Sequence, residues 1–331
     1  MAIRVVAVLG AGAWGTALAN LAARGEDARV LLCARDPGHV VEMAATGVNA
    51  RRLPGVPLLS NVAPTADLAA AAKADVILAA VPTQALRETL AAIAPLVEGA
   101  PPVVVCAKGI ERGTGRFVTE IVNEVMPRSP AAILSGPSFA RDVARGLPTA
   151  VTLAARDGVV AAALAAMIAG PTFRVYSSSD VRGVEIGGAA KNVLAIASGV
   201  AAGRGLGASA GAALVARGFA ELSRFGRAYD AEPATLAGLS GLGDLVLTCG
   251  SAMSRNFSFG FALGEGASVE EATEKTGLAE GAFTCGVMLD LARAAEVDMP
   301  ISAAVDAVLA ERVGVDEAIA ELLARPSKPE G

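Results

Sequence analysis

Short, continuously apolar runs recur along the first half of the chain. The first is Arg4-Val5-Val6-Ala7-Val8-Leu9, and Ala and Leu at helical spacing follow it in Thr16-Ala17-Leu18-Ala19-Asn20-Leu21. Uninterrupted runs of this length suit strands buried on both faces of a sheet. The same type recurs at Arg29–Cys33, Asp75–Val81, Val103–Ala107, Ala131–Leu134, Ala150–Leu153 and Thr172–Tyr176. An alanine-rich stretch from Gly158 to Ala169 reads as a helix between the last two. Strands alternating with helices predict a parallel, doubly wound α/β sheet of the Rossmann type.

After Asp180 the apolar runs stop and helical periodicity takes over. Helices are expected over Val184–Gly203, Ala208–Arg227, Glu232–Leu239, Ser268–Lys275, Gly281–Glu296, Ile301–Arg312 and Val315–Leu323, punctuated by glycine and proline. The expected organisation is a dinucleotide-binding domain over 1–180 and an all-α substrate and catalytic domain over 181–331, with a frayed tail from Arg325.

Gly10-Ala11-Gly12-Ala13-Trp14-Gly15 stands between the first strand and the first helix. In that position the G-x-G-x-x-G spacing has a mechanism. Gly10 permits the tight turn, Gly12 lets a pyrophosphate approach the backbone, and Gly15 lets the helix pack on the sheet. The N–H groups of the helix start would take the phosphates. Dinucleotide folds meet the adenosine ribose at the end of the second strand, here Ala34-Arg35-Asp36-Pro37. An acid there serves NAD and a base serves the 2′-phosphate of NADP. Arg35 comes first, so NADPH is the expected cofactor, with NADH possible.

Composition narrows the chemistry. The mean hydropathy of +0.51 raises a membrane question, and the uncharged stretch Val5–Ala23 is long enough to ask it. Its middle is turn chemistry, so it reads as strand plus helix, and a cytoplasmic protein without a membrane span is expected. The net charge of −5 argues against nucleic acid as a partner. Cys33, Cys106, Cys249 and Cys285 form no C-x-x-C, and His39 is the one histidine, so neither a metal site nor Ser-His-Asp chemistry is expected. His39 itself reads as a surface residue.

Lysine is scarce: Lys73, Lys108, Lys191, Lys275 and Lys328 are all there is. Lys108 ends a strand on the expected cofactor side. Lys191 lies in the apolar helix Ile186–Ala195, where an ammonium is costly unless paired. A buried lysine can give or take a proton where arginine cannot. Asp244, in the apolar, glycine-bounded stretch Leu239–Cys249, is the natural partner; it also suits the cap of a following helix. Ser254-Arg255-Asn256 offers a guanidinium fork flanked by small polar groups, a set that suits a phosphate but also occurs in solvated loops.

Taken in series, GAGAWGTAL (Gly10–Leu18), AKGIE (Ala107–Glu111), SGPSFA (Ser135–Ala140), GAAKNVLA (Gly188–Ala195), GLGDLVLTC (Gly241–Cys249), SRN (Ser254–Asn256) and Glu280-Gly281 resemble the bacterial NAD(P)-dependent glycerol-3-phosphate dehydrogenase family. The resemblance implies a 6-phosphogluconate dehydrogenase-like plan and reversible reduction of dihydroxyacetone phosphate to sn-glycerol 3-phosphate, feeding phospholipid synthesis in a homodimer. It implies Lys191 as proton donor and acceptor, assisted by Asp244 and Lys108. Lys108, Gly136, Ser138, Lys191, Asp244, Ser254, Arg255 and Asn256 would surround the substrate. Ala13, Trp14, Arg35, Lys108, Ala140, Arg255, Leu278 and Glu280 would contact the cofactor. Three departures stand out. Ser209 and Gly211 replace the family's usual Asn and Arg, Arg52 replaces an aromatic residue, and Ala13 replaces a serine. Two other readings share parts of the pattern: a β-hydroxyacid or phosphogluconate-type dehydrogenase with a catalytic lysine, and a dinucleotide sensor without turnover.

Overall fold

The computed structural model describes residues 5–25, 28–277 and 279–326, which divide into two compact units. The first runs to Glu185 without Arg112–Gly115. The second holds those four residues and everything from Ile186 onward.

The first unit is built on one eight-stranded sheet. Its strands are β1 (Val5–Leu9), β2 (Arg29–Cys33), β3 (Val62–Thr65), β4 (Val76–Ala79), β5 (Val103–Val105), β6 (Ala131–Ser135), β7 (Thr149–Ala155) and β8 (Phe173–Ser178). They lie in the order β3-β2-β1-β4-β5-β6-β7-β8. The helices of this unit are α1 (Ala13–Ala22), α2 (Pro37–Thr46), α3 (Leu68–Ala71), α4 (Thr83–Ile93), α5 (Val118–Val125), α6 (Ala140–Ala144) and α7 (Gly158–Ile168). Alternate residues of β1 feed two cores. Val6 and Val8 pack with Leu18 and Leu21 on one face, while Ala7 and Leu9 pack with Leu86 and Leu90 on the other. Two covered faces explain why the run carries no polar residue.

The sheet departs from the expected one in two ways. β7 runs antiparallel to β6, pairing Leu134 with Leu153, before β8 continues parallel to β7. An apolar run carries no mark of its direction, so the reversal is invisible in the sequence. β3 escaped the strand pattern because it is four residues long and contains Pro64. That proline is tolerated because β3 is an edge strand with one neighbour.

The helices that follow are α8 (Val181–Gly203), α9 (Gly207–Ala228), α10 (Pro233–Leu236), α11 (Asp244–Cys249), α12 (Arg255–Gly264), α13 (Val269–Thr276), α14 (Glu280–Ala294), α15 (Pro300–Leu309) and α16 (Val315–Leu323). The single helix expected over Glu232–Leu239 is instead α10, then a π-helical turn at Leu239–Gly243 that leads into α11. Among the described residues α8 alone is long and apolar enough to cross a membrane, and 83% of its apolar window is buried. It is a core helix. Gly199 and Gly203 on α8 face Gly260 and Gly264 on α12, and a Cβ on any of them would meet backbone of the opposite helix. Such small-residue crossings bring two helix axes closer than ordinary side chains allow.

Candidate active site

The glycine turn is shaped from both sides. Gly10 has φ +109, and a Cβ there would meet Ala80 O at 2.9 Å, so the turn takes no other residue. Gly15 lies against Gly10 O. Gly12 is the opposite case. Apart from its own chain neighbours, no described atom lies within 4 Å of where its Cβ would be, and with no side chain it cannot cap α1. An open space at an uncapped helix start fits the pyrophosphate of a dinucleotide. Ala13 opens α1, and the adjacent Trp14 has a buried indole Nε1 with no partner among the described residues.

At the end of β2, Arg35 is exposed. Asp36 is engaged on both oxygens: Oδ1 accepts the Gly38 N–H at 2.9 Å, capping α2, and Oδ2 pairs with Arg51 Nη1 at 2.9 Å. The Gly38 N–H, and after it Arg51, hold this carboxyl below its ordinary value. Arg51 also reaches Glu42, and Arg52 beside it is exposed. His39 is not a surface residue. It is buried, 8% exposed, and its Nε2 lies 2.9 Å from Asn49 Oδ1. The sequence reading failed here because an imidazole on a capped surface helix gives no sign of a polar partner ten residues away.

Three further expected residues meet where β5 and β6 end. Lys108 Nζ and Ser138 Oγ each donate to Gly136 O at 3.0 Å. Gly136 has φ +146, and a Cβ there would sit 2.8 Å from Val151 Cα, so this carbonyl is presented by a residue that must be glycine. Ala140 begins α6 just beyond. The Lys108 loop is anchored by residues the sequence did not single out. Gln84 donates to Ile110 O, and Arg87 grips Glu111 with two bonds, at 2.9 and 2.8 Å.

In the second unit Lys191 Nζ donates to Asp244 Oδ1 at 2.8 Å and to Thr248 Oγ1 at 3.0 Å. The lysine and aspartate side chains are 9% and 1% exposed. The approach has a backbone cause. One turn before Lys191, a Cβ on Gly187 would lie 2.5 Å from Ser240 O, and Gly241 is pressed against Leu236 O. These glycines let α8 touch the π-turn, and Asp244, three residues after Gly241, lands beside Lys191. π-turns of this kind are enriched at functional sites. Asp244 is the first residue of α11, with Gly243 at the cap position. Thr248, four residues on, shares its face. That spacing was the available signal for Thr248, which sequence reading passed over.

Ser254-Arg255-Asn256 is not a loop. Ser254 caps α12 by accepting the Phe257 N–H, and Arg255 is exposed at the first turn. Asn256 is buried and bridges two helices: its Nδ2 donates to Asn192 Oδ1 at 3.0 Å and its Oδ1 accepts the Gly281 N–H at 2.9 Å. Asn192 was also missed, though it adjoins Lys191. Glu280 opens α14, partly buried. Leu278 lies outside the described residues. Ser209 is exposed on α9, and Gly211 is half-buried there.

Family models match most of the chain. The NAD-dependent glycerol-3-phosphate dehydrogenase N-terminus covers residues 5–161, and the C-terminus of the same family covers 180–320. A glycerol-3-phosphate dehydrogenase [NAD(P)+] of Beijerinckia indica is 66% identical over 327 residues, 99% of this chain and 98% of the relative. Another, from Azorhizobium caulinodans, is 59% identical over 98% of each chain. The crystal structure of glycerol-3-phosphate dehydrogenase from Coxiella burnetii superposes with a TM-score of 0.93 at 40% identity, covering 98% of this chain and 99% of that one.

Proposed function

The chain belongs to the NAD-dependent glycerol-3-phosphate dehydrogenase family, and on that premise we propose that it reversibly reduces dihydroxyacetone phosphate to sn-glycerol 3-phosphate, with NADPH preferred over NADH. The observation that carries the reading is the buried Lys191–Asp244–Thr248 cluster, a proton-transferring group held in a fixed direction.

A nicotinamide held by this site would supply the hydride for the carbonyl carbon. The chain's residues do the rest. Lys191 donates a proton to the carbonyl oxygen as that oxygen gains charge, and takes it back from the hydroxyl in the reverse direction. Asp244 and Thr248 each accept one Nζ–H, which aims the ammonium. In the first unit Lys108, tied to Gly136 O, and the Ser138 hydroxyl are the polar groups offered to the substrate. Arg255 and the Ser254 hydroxyl, at the start of α12, hold the substrate phosphate. Asn256 fixes the alignment of α8, α12 and α14 around them. In the first unit, Gly10, Gly12, Ala13, Trp14, Gly15 and Ala140 serve the cofactor, and in the second unit Glu280 does. Arg35 reads the adenosine 2′-phosphate, and Asp36, committed to α2 and Arg51, does not oppose it.

The reading includes a cytoplasmic location, a place in phospholipid supply and a homodimeric state, all supported by the family resemblance. Initial rates with dihydroxyacetone phosphate, NADPH against NADH, test it. Arg35→Ala is expected to weaken NADPH use by about tenfold or more, as for a lost hydrogen bond to a charged group, with little loss for NADH. Turnover with some other keto compound, and none with dihydroxyacetone phosphate, would overturn the proposal.

A further inference from the structure

Behind the glycine turn lies a buried polar chain that no sequence motif announced. Asn49 is 0% exposed and Thr16 is 0% exposed. Asn49 Nδ2 donates to Ala11 O at 3.0 Å and to Thr16 Oγ1 at 2.7 Å. Thr16 Oγ1 donates to Gly12 O at 2.8 Å. His39 Nε2 lies 2.9 Å from Asn49 Oδ1.

The donor and acceptor roles follow by elimination. Gly12 O can only accept, so the Thr16 hydroxyl spends its proton there. Thr16 Oγ1 therefore accepts from Asn49, and Ala11 O accepts as well, so the amide face of Asn49 points at the turn. Its Oδ1 faces His39, and Nε2 of His39 must carry the proton. His39 sets which way Asn49 points, and Asn49 with Thr16 sets the turn.

The consequence runs through the peptide planes. In a trans peptide the C=O and the following N–H point in opposite directions. Holding Ala11 O and Gly12 O inward turns the N–H groups of Gly12 and Ala13 outward, on the side where Gly12 leaves open space. We propose that Thr16, Asn49 and His39 are positioning residues for dinucleotide binding, which lock the turn so that the Gly12 and Ala13 N–H groups face the cofactor's pyrophosphate. This rests on the reading of the turn as the cofactor site.

The test compares two ligands on the apoprotein: NADPH, followed by its fluorescence, and adenosine 2′-monophosphate, which lacks the pyrophosphate, by calorimetry. Thr16→Val keeps the shape and removes the hydroxyl; Thr16→Ser restores it. Thr16→Val is expected to weaken NADPH and NADH alike by about tenfold, the scale of one lost buried hydrogen bond, while leaving adenosine 2′-monophosphate within about twofold. Thr16→Ser is expected to recover NADPH affinity. His39→Leu is expected to follow Thr16→Val with a smaller loss. If Thr16→Val does not fold, Thr16→Ala, which also removes the hydroxyl, takes its place with the same expected result. Equal loss of both ligands in step with the melting temperature, or no loss for NADPH, would overturn the proposal. Wild-type protein that binds neither NADPH nor NADH would instead overturn the underlying reading of the site.

Discussion

Under the proposed function the two units would hold polar ligands with opposite materials. In the first unit the turn would offer backbone N–H groups, with hydrogen bonds linking Thr16, Asn49 and His39 behind it. In the second, charged side chains do the work, and backbone contact between helices brings them together. Two glycines show the difference. Gly12 has open space where a side chain would be, the room a ligand would need. Gly241 has Leu236 O there, room already taken by the protein. A glycine in a binding motif thus has two meanings, and packing separates them.

The largest expected effect breaks the charged side of this comparison. Lys191→Met is expected to lower kcat by about a thousandfold or more, the scale of a lost general acid with its charge, while the NADPH dissociation constant moves less than about threefold. Removing one partner also strands Asp244 in the interior, a cost of about 3–5 kcal/mol. The double variant Lys191→Met with Asp244→Leu is expected to regain stability and none of the activity. Steady-state rates, fluorescence titration and denaturant unfolding separate the three quantities. Activity returning with stability would show that the pair is structural.

The glycine contrast gives the next effect. Gly241→Ala is expected to destabilise by about 1–3 kcal/mol, as overpacking does, with activity falling as Asp244 shifts. Gly12→Ala is expected to leave stability within about 0.5 kcal/mol, because its φ of −76 suits alanine, yet to weaken NADPH binding by about tenfold. The reverse pattern would interchange the two roles.

The smallest effect concerns two buried carboxylates, Glu185 in the first unit and Glu221 in the second. Glu185 accepts from the Thr119 N–H and hydroxyl, and Glu221 accepts from the Ile301 and Ser302 N–H groups and the Ser302 hydroxyl. Burial outweighs these bonds and pushes both carboxyls up. A raised folded value means the folded state holds the proton more tightly. The stability from this source is full below the ordinary value of 4.5 and is lost as pH rises through the raised one. The melting temperature of wild type relative to Glu221→Gln should therefore fall between pH 4.5 and neutrality. A difference that is flat or grows would refute the assignment.

Much of the first unit was legible because burial on both faces writes itself as unbroken apolar runs. β1, the glycine turn and α1 appear in the chain as three adjacent patterns. Edge strand β3 did not, since with one neighbour it tolerates Pro64 and needs little apolar length. In the second unit Lys191 and Asp244 stood out as charges in apolar surroundings. Thr248, Asn192 and Asn49 did not, because a small polar residue is unremarkable until its partners are known. α12, which carries Gly260, was hidden by the same kind of glycine that makes its contacts possible. Gly241 and Gly260 read as breakers in sequence and serve as contact surfaces in the fold.

His39 has one consequence for how the molecule can be observed. It is the chain's one histidine, and two hydrogen bonds separate it from the glycine turn. Its ring protons therefore give a single set of imidazole resonances for the whole protein. The chain carries a built-in magnetic label beside its glycine turn, with no residue to replace and no probe to attach.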